Sequence, residues 1–386
     1  MELENGEINQ LLTMHNLQTT KYYEEFIYYA KISKWQHENC NLGLVPYKET
    51  PWDDDLIKNV YLYDVCARKY AGFTQLVLDI WHDYKTHPYK SKMPEWRKEI
   101  VNKFHTELWD LPEWLFVFFV HRLTGSGINY AKNPSGYYNS ILLHFHTCDS
   151  IEDMVKVIKE FKGPKFTSVG YQIAPFPKAQ GDYKLGGDYF MCEHLPGLCK
   201  DFANYLQRGT VKNFRTLMGF LERFNKARGF RVFRFQYAAT LADIADFFPR
   251  FINLESHFFY GKNAIECLNY LAERPKGMKQ LDFLDALTDK IYNDTGAVPY
   301  NSEDIACDFI RWIENYIKPG SDYDHLCLDS TWNSSNIIDH PFGRQKKMLE
   351  LGLVDTFNKP EHPSDDKVLK ENNLTVEEYR QLIYNN

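Results

Sequence analysis

Between Trp114 and Val120 the chain runs through seven consecutive apolar residues, WLFVFFV, without a polar side chain. As a helix that run rises about 10 Å, far short of the ~30 Å hydrocarbon core of a bilayer. A helix buried inside a soluble fold is therefore expected. The run closes on His121 and Arg122, and Thr124-Gly125-Ser126-Gly127 follows. Small residues there leave backbone N–H groups uncovered, and two hydroxyls add hydrogen-bonding capacity. Asn129, Tyr130, Tyr137, Tyr138 and Asn139 come next, residue types able to stack on a base and bond its edge. Together they outline a site for something planar and anionic. The same residues also make an ordinary turn. The loop is neither a Walker A motif, since no Lys-Ser/Thr closes it, nor a dinucleotide fingerprint, since the third glycine is missing.

Around this stretch the pattern is helical. Tyr22, Tyr23, Phe26, Ile27 and Ala30 recur at helical spacing over about 20–35. Trp52-Asp53-Asp54-Asp55 reads as a helix start with acids in its first turn. Helices are also expected over 60–67, 76–81 and 93–109. Ser150 with Asp153 three residues on forms an N-terminal cap. Leu195-Pro196-Gly197 opens another helix, because proline's missing N–H is least harmful there. Residues 211–227, 238–251, 263–272 and 303–317 are helical in pattern, and 371–384 reads as a small terminal helix. Phe230–Phe235 alternates Phe and Arg and is the one candidate strand, while 175–187 reads as a Pro/Gly-rich connection. The expected fold is mainly α: a tail over 1–20, one helical domain over 21–340 and a peripheral segment over 341–386.

Tyr and Phe, 26 and 27 of them, are enough aromatics to exclude a disordered or fibrous chain. The net charge of −7 gives no general attraction to nucleic acid, so a DNA contact needs a local basic face. Lys156–Lys165 is one candidate; the other is the run Lys212, Arg215, Arg223, Lys226, Arg228, Arg231 and Arg234. The eight cysteines are scattered with no CxxC pair, which argues for a reducing compartment and against a zinc ribbon or a disulfide framework. His144 with His146, and Cys192, His194 and Cys199, match no common zinc spacing; no metal and no cofactor is expected. Residues 1–20 lack the apolar core of a signal peptide, so a cytoplasmic protein without membrane attachment is expected.

Leu195-Pro-Gly-Leu-Cys-Lys-Asp-Phe-Ala resembles the hairpin of helix-hairpin-helix DNA-binding proteins, with Cys199 standing where the second glycine belongs. In such a hairpin a tight turn aims N–H groups at a phosphate. Acid and base candidates cluster ahead of it: Asp182, Asp188, Glu193 and His194. Asp182 follows Gly163 at about the remove that separates hairpin glycine from catalytic Asp in helix-hairpin-helix glycosylases. The same Gly-Asp pairs equally suit a solvated loop.

His121-Arg122-Leu-Thr-Gly-Ser-Gly-Ile-Asn-Tyr, then Gly163-Pro with Gly170-Tyr171-Gln172-Ile173-Ala174, then Cys192-Glu-His-Leu-Pro-Gly-Leu-Cys-Lys-Asp-Phe stand in an order similar to the α-glutamyl/putrescinyl-thymine pyrophosphorylase superfamily. That group includes phage amino acid:DNA transferases and the helical domain joined to 5-hydroxymethyluracil DNA kinases. The resemblance covers about 50–275 and implies a helical core of the helix-hairpin-helix DNA glycosylase type. It implies a transferase of the infected bacterial cytoplasm, acting on DNA that carries a modified pyrimidine. An amino acid or polyamine displaces pyrophosphate from 5-(pyrophosphoryloxymethyl)uracil, after the step of a 5-hydroxymethyluracil DNA kinase. On that basis Glu193, His194, Asp188 and, last, Glu255 are the expected proton acceptors. Arg122, Thr124, Gly125, Ser126 and Gly127 hold the substrate and its pyrophosphate, with Asn129, Tyr130, Tyr137, Asn139 and Gln172 at the base. Lys165, Gly197, Lys200 and Lys262 meet phosphate. Two other classes stay open: a non-catalytic module that binds modified DNA, and a glycosylase-like N-glycosidase or lyase.

Overall fold

The computed structural model describes residues 17–40, 75–81, 98–99, 101–125, 140–162, 165, 174 and 176–312, without the side chains of 32–40, 75, 308, 311 and 312. The α-helices among them are α1 (Lys21–Cys40), α2 (Gln75–Ile80), α3 (Leu111–Thr124), α4 (Ile151–Glu160), α5 (Gly186–Tyr189), α6 (Leu195–Gln207), α7 (Phe214–Ala227), α8 (Arg234–Phe247), α9 (Lys262–Leu271), α10 (Gln280–Thr295) and α11 (Pro299–Trp312). A π turn, Phe190–His194, joins α5 to α6. The protein is mainly α: no strand occurs among the described residues, and β pairing is limited to isolated bridges such as Thr19 with Ala272. No helix among the described residues is long and apolar enough to cross a membrane.

The chain divides into two compact units, residues 1–71 with 254–350 and residues 72–253 with 351–386. The expected domain of 21–340 contains parts of both. In the first unit α1 packs with α9, α10 and α11 around Phe26, Tyr29, Leu268, Phe283, Leu287 and Phe309. Tyr23 ties α1 to α10 by donating its hydroxyl to Asp294 at 2.6 Å.

The second unit is built on α3, and the apolar run explains why. Every residue from Trp114 to Thr124 is buried, so the helix has no solvent face and must be wrapped by α6 and α8. Asp110 and Glu113 close its start as a capping box, the Asp110 N–H donating to Glu113 at 3.1 Å. Gly125 ends it at φ 67°, a left-handed cap that a side chain disfavours. Trp81 on one side packs against Trp114, Phe118, Phe247 and Phe248 with ring centroids 4.5–6.4 Å apart.

Several elements differ from the sequence expectation. Phe230–Phe233 is an irregular connector and Arg234 already begins α8, because Phe/Arg alternation without a partner strand leaves a ladder unpaired. Within 93–109 the helix ends at Val101, and a 3-10 turn, Thr106–Leu108, precedes α3. α10 and the helical segment from Gly186 were not anticipated. The helix start expected at 52–55, the helix expected over 60–67, the C-terminal helix over 371–384 and the tail through residue 16 lie outside the described residues.

Candidate active site

Residues 186–207 run from α5 through the π turn into α6 without a break. The register shift has a local cause. Pro196 has no N–H to give Cys192, and its ring would strike that carbonyl in an α-helix. The turn widens instead, and the Leu195 N–H reaches back five residues to Phe190. Leu195-Pro-Gly is therefore not a hairpin. Gly197 sits exposed within α6, and Cys199, at the position of the expected second glycine, is fully buried core. The other Gly-Pro segment, Gly163-Pro164, lies outside the described residues.

The π turn and α5 gather three of the expected proton acceptors. Asp188 accepts from Lys165 Nζ at 2.8 Å, the two side chains only 13 % and 8 % exposed. Its other oxygen, Oδ1, is buried with no hydrogen-bond partner among the described residues. Burial raises the Asp188 pKa above the usual carboxylate range, against the opposing pull of Lys165. Beside it burial, aided by Asp188, pushes the Cys192 thiol up to about 12, which keeps it protonated and inert as a nucleophile.

Glu193 is set differently. It is half exposed, accepts from the Tyr183 hydroxyl, and lies 3.4 Å from Lys159 Nζ. The Tyr183 hydrogen bond, with help from Lys159, holds its pKa below the usual value. Glu193 thus stays ionised and is a weak proton acceptor. Burial first and Glu193 second push Tyr183 up to about 12.

His194 is buried, with its ring between Phe190, Phe224 and Phe230. Its Nε2 stands 3.1 Å from Asn225 Oδ1. Asn225 donates Nδ2 to the Arg231 carbonyl at 2.7 Å and accepts from the Tyr237 hydroxyl at 3.0 Å. Those bonds fix the amide orientation, so Oδ1 faces the imidazole and Nε2 carries its hydrogen. Burial, with a contribution from Arg228, lowers the His194 pKa to about 4. The imidazole is neutral at physiological pH and serves to position the π turn on α7. Comparison with family models, curated proteins and solved structures returns no match.

The remaining expected residues are placed elsewhere. Arg122 is not turned to a phosphate: its Nε and Nη2 donate to Asp243 of α8 at 2.6 and 2.5 Å, with both side chains almost wholly buried. The cause is α3 itself, which has no exposed face on which a charge can reach water. Thr124 returns its hydroxyl to the Val120 carbonyl at 2.7 Å, and Gly125 is the helix cap. Lys200 is exposed and paired with Glu152 of α4 at 2.7 Å. Asp182 is exposed in a turn, and in the first unit Lys262 is exposed at the start of α9 while Glu255 accepts from Tyr292 at 2.9 Å. Ser126, Gly127, Asn129, Tyr130, Tyr137, Asn139 and Gln172 lie outside the described residues. A shallow hollow of about 590 Å³, lined by Lys103, His105, Leu108, His146, Thr147 and Asp149, includes none of the expected residues. No group of three or more His, Cys, Asp or Glu among the described residues is placed to hold a metal ion.

Asn225, Tyr183 and Asp243 were missed by sequence reasoning. A signal existed for two of them. Phe214, Leu217, Met218, Leu221 and Asn225 fall on one helical face, and Asp243 sits in the middle of a buried helix. A polar residue at a core position must find a partner, and these do.

Proposed function

We propose that this chain is a DNA base-modifying transferase that joins an amine to 5-(pyrophosphoryloxymethyl)uracil in DNA with release of pyrophosphate, on a helical core related to the helix-hairpin-helix glycosylases. The observation that carries the reading is Asp188, a largely buried carboxylate with one oxygen on Lys165 and the other unpartnered among the described residues. A base needs a pKa near the working pH and an open acceptor position, and Asp188 has the upward shift and the free oxygen.

In this mechanism the amine nitrogen donates its lone pair to the exocyclic methylene carbon. The carbon–oxygen bond breaks, and its electron pair leaves with pyrophosphate. The proton lost by the amine passes to Asp188 Oδ1. Lys165, bound to Oδ2, holds the carboxylate in place and lends positive charge where the pyrophosphate develops its own. Glu193 and His194 position this segment rather than take the proton, because the pKa of each is lowered, Glu193 by the Tyr183 hydrogen bond and His194 by burial. The base must leave the stack to be reached.

Incubation with DNA carrying the pyrophosphorylated base and a panel of amino acids and polyamines, then digestion to nucleosides and mass analysis, tests the reading. It predicts a new nucleoside and one pyrophosphate per adduct. Neither product with any amine sinks it. The Lys165–Asp188 pair also favours a second reading, in which the Lys165 amine attacks the sugar carbon of a damaged nucleotide as a glycosylase-lyase does. Borohydride trapping of a covalent DNA complex, lost in Lys165→Met, distinguishes the two.

A further inference from the structure

Residues 208–234 hold eight Arg and Lys and one acid, Glu222, in a chain whose net charge is −7. Opposite charge is thus concentrated in a single segment of the second unit, comprising the end of α6, α7 and the connector into α8. Arg208, Arg223, Lys226, Arg228, Arg231 and Arg234 are all exposed. Only some are engaged. Arg234 binds Glu222 at 2.9 Å, and Arg228 stands 4.0 Å from Asp201 with its guanidinium 3.6 Å above the Phe224 ring. Arg208, Arg223, Lys226 and Arg231 have no ion-pair partner among the described residues. Four uncompensated cations in so short a segment repel one another, which costs stability and calls for a polyanion to relieve it.

The segment is also attached to the π turn. The Arg231 carbonyl accepts from Asn225, which holds His194, and the Phe224 ring beneath Arg228 packs 5.2 Å from the His194 ring. A phosphate chain following the cations is therefore led to the segment that carries Asp188. α7 rises about 21 Å over its length, against about one phosphate charge per 1.7 Å of duplex axis. We infer that the arginine-rich surface of residues 208–234 holds the backbone of duplex DNA beside the π turn. This rests on the transferase reading for the substrate's identity, but the surface itself is defined by charge and position. The expected phosphate contacts at Lys200 and Lys262 are not part of it, since Lys200 is already paired and Lys262 belongs to the first unit.

The test uses the full chain and a short labelled duplex of unmodified DNA, with anisotropy read between about 50 and 200 mM salt. Arg223→Ala with Lys226→Ala and Arg231→Ala removes exposed side chains, and a melt confirms folding. At 0.1 M salt this variant binds on the order of 10²–10³-fold more weakly, and the slope of log K against log salt flattens by about 2 to 3. Arg274→Ala with Lys276→Ala and Lys279→Ala removes as many cations from the exposed face of the first unit, and stays within about threefold of wild type. Equal losses in the two variants, or wild-type binding that ignores salt, overturn the proposal. Duplex RNA held more than about tenfold tighter than DNA also overturns it. Loss of DNA binding in the first variant alone supports the surface even if wild type forms no nucleoside adduct, an outcome that removes only the transferase reading.

Discussion

Breaking the Arg122–Asp243 pair is expected to destabilise the second unit sharply. Asp243→Ala leaves a guanidinium 3 % exposed without the carboxylate that holds two of its N–H groups. Removing one partner of a buried pair costs about 3–5 kcal/mol, because the remaining charge loses its counter-charge in the interior. In a unit of this size each kcal/mol lowers Tm by roughly 2–4 °C, so a fall of about 6–20 °C is expected. Replacing both partners by apolar groups, Arg122→Met with Asp243→Leu, removes both buried charges and fills the space. That variant is expected within about 1 kcal/mol of wild type or above it. Urea titrations followed by circular dichroism and tryptophan emission give the free energies of wild type, Asp243→Ala, the double variant and its two singles, Arg122→Met and Asp243→Leu. If Asp243→Ala costs under about 1 kcal/mol, or the double variant costs the sum of the singles, the pair is not the buried anchor between α3 and α8.

Two further predictions concern the π-turn segment. A Cβ at Gly186 falls 1.6 Å from the Pro177 carbonyl oxygen, so Gly186→Ala forces the backbone apart; a loss of about 1–3 kcal/mol or more is expected, and an unchanged melt contradicts the close approach. His194 has a folded pKa of about 4, below the ~6.5 of a free imidazole. The unfolded chain therefore binds the proton first. The associated stability is complete above about pH 6.5 and is lost as pH falls toward 4, by on the order of 3 kcal/mol. His194→Gln is expected to flatten the urea midpoint across that window, and a profile as steep as wild type contradicts it.

The parts of the fold legible in the sequence were those where one pattern dominates. The run Trp114–Val120 can only be interior, and Ser150 does accept from the Asp153 N–H at 3.2 Å, whereas Pro196, read as opening a helix, falls where the π turn passes into α6. α10 escaped notice because Asp282, Asp285, Asp289 and Asp294 dilute its apolar stripe of Phe283, Leu284, Leu287 and Ile291. Among the residues expected at the site, the sequence carried their proximity better than their electrostatics. Asp188, Glu193 and His194 do come from one stretch of structure, with Lys165 paired to the first, but their order of basicity depends on burial and partners that sequence spacing does not carry. Arg122 shows the reverse. Its position at the end of an apolar helix looked like delivery of charge to a cavity, whereas a helix buried on every side brings that charge to an internal carboxylate.

Proton transfer to Asp188 is read out by the single-turnover rate of Asp188→Asn. The substitution keeps the shape of the side chain but removes its capacity to take a proton. With DNA binding and the melt close to wild type, the adduct-forming rate is expected to fall by about 10²–10⁴. In wild type the rate should rise with pH along a limb set above the ordinary carboxylate range, as the upward shift of Asp188 requires. A rate within about threefold of wild type, with that limb unmoved in the variant, would contradict the account.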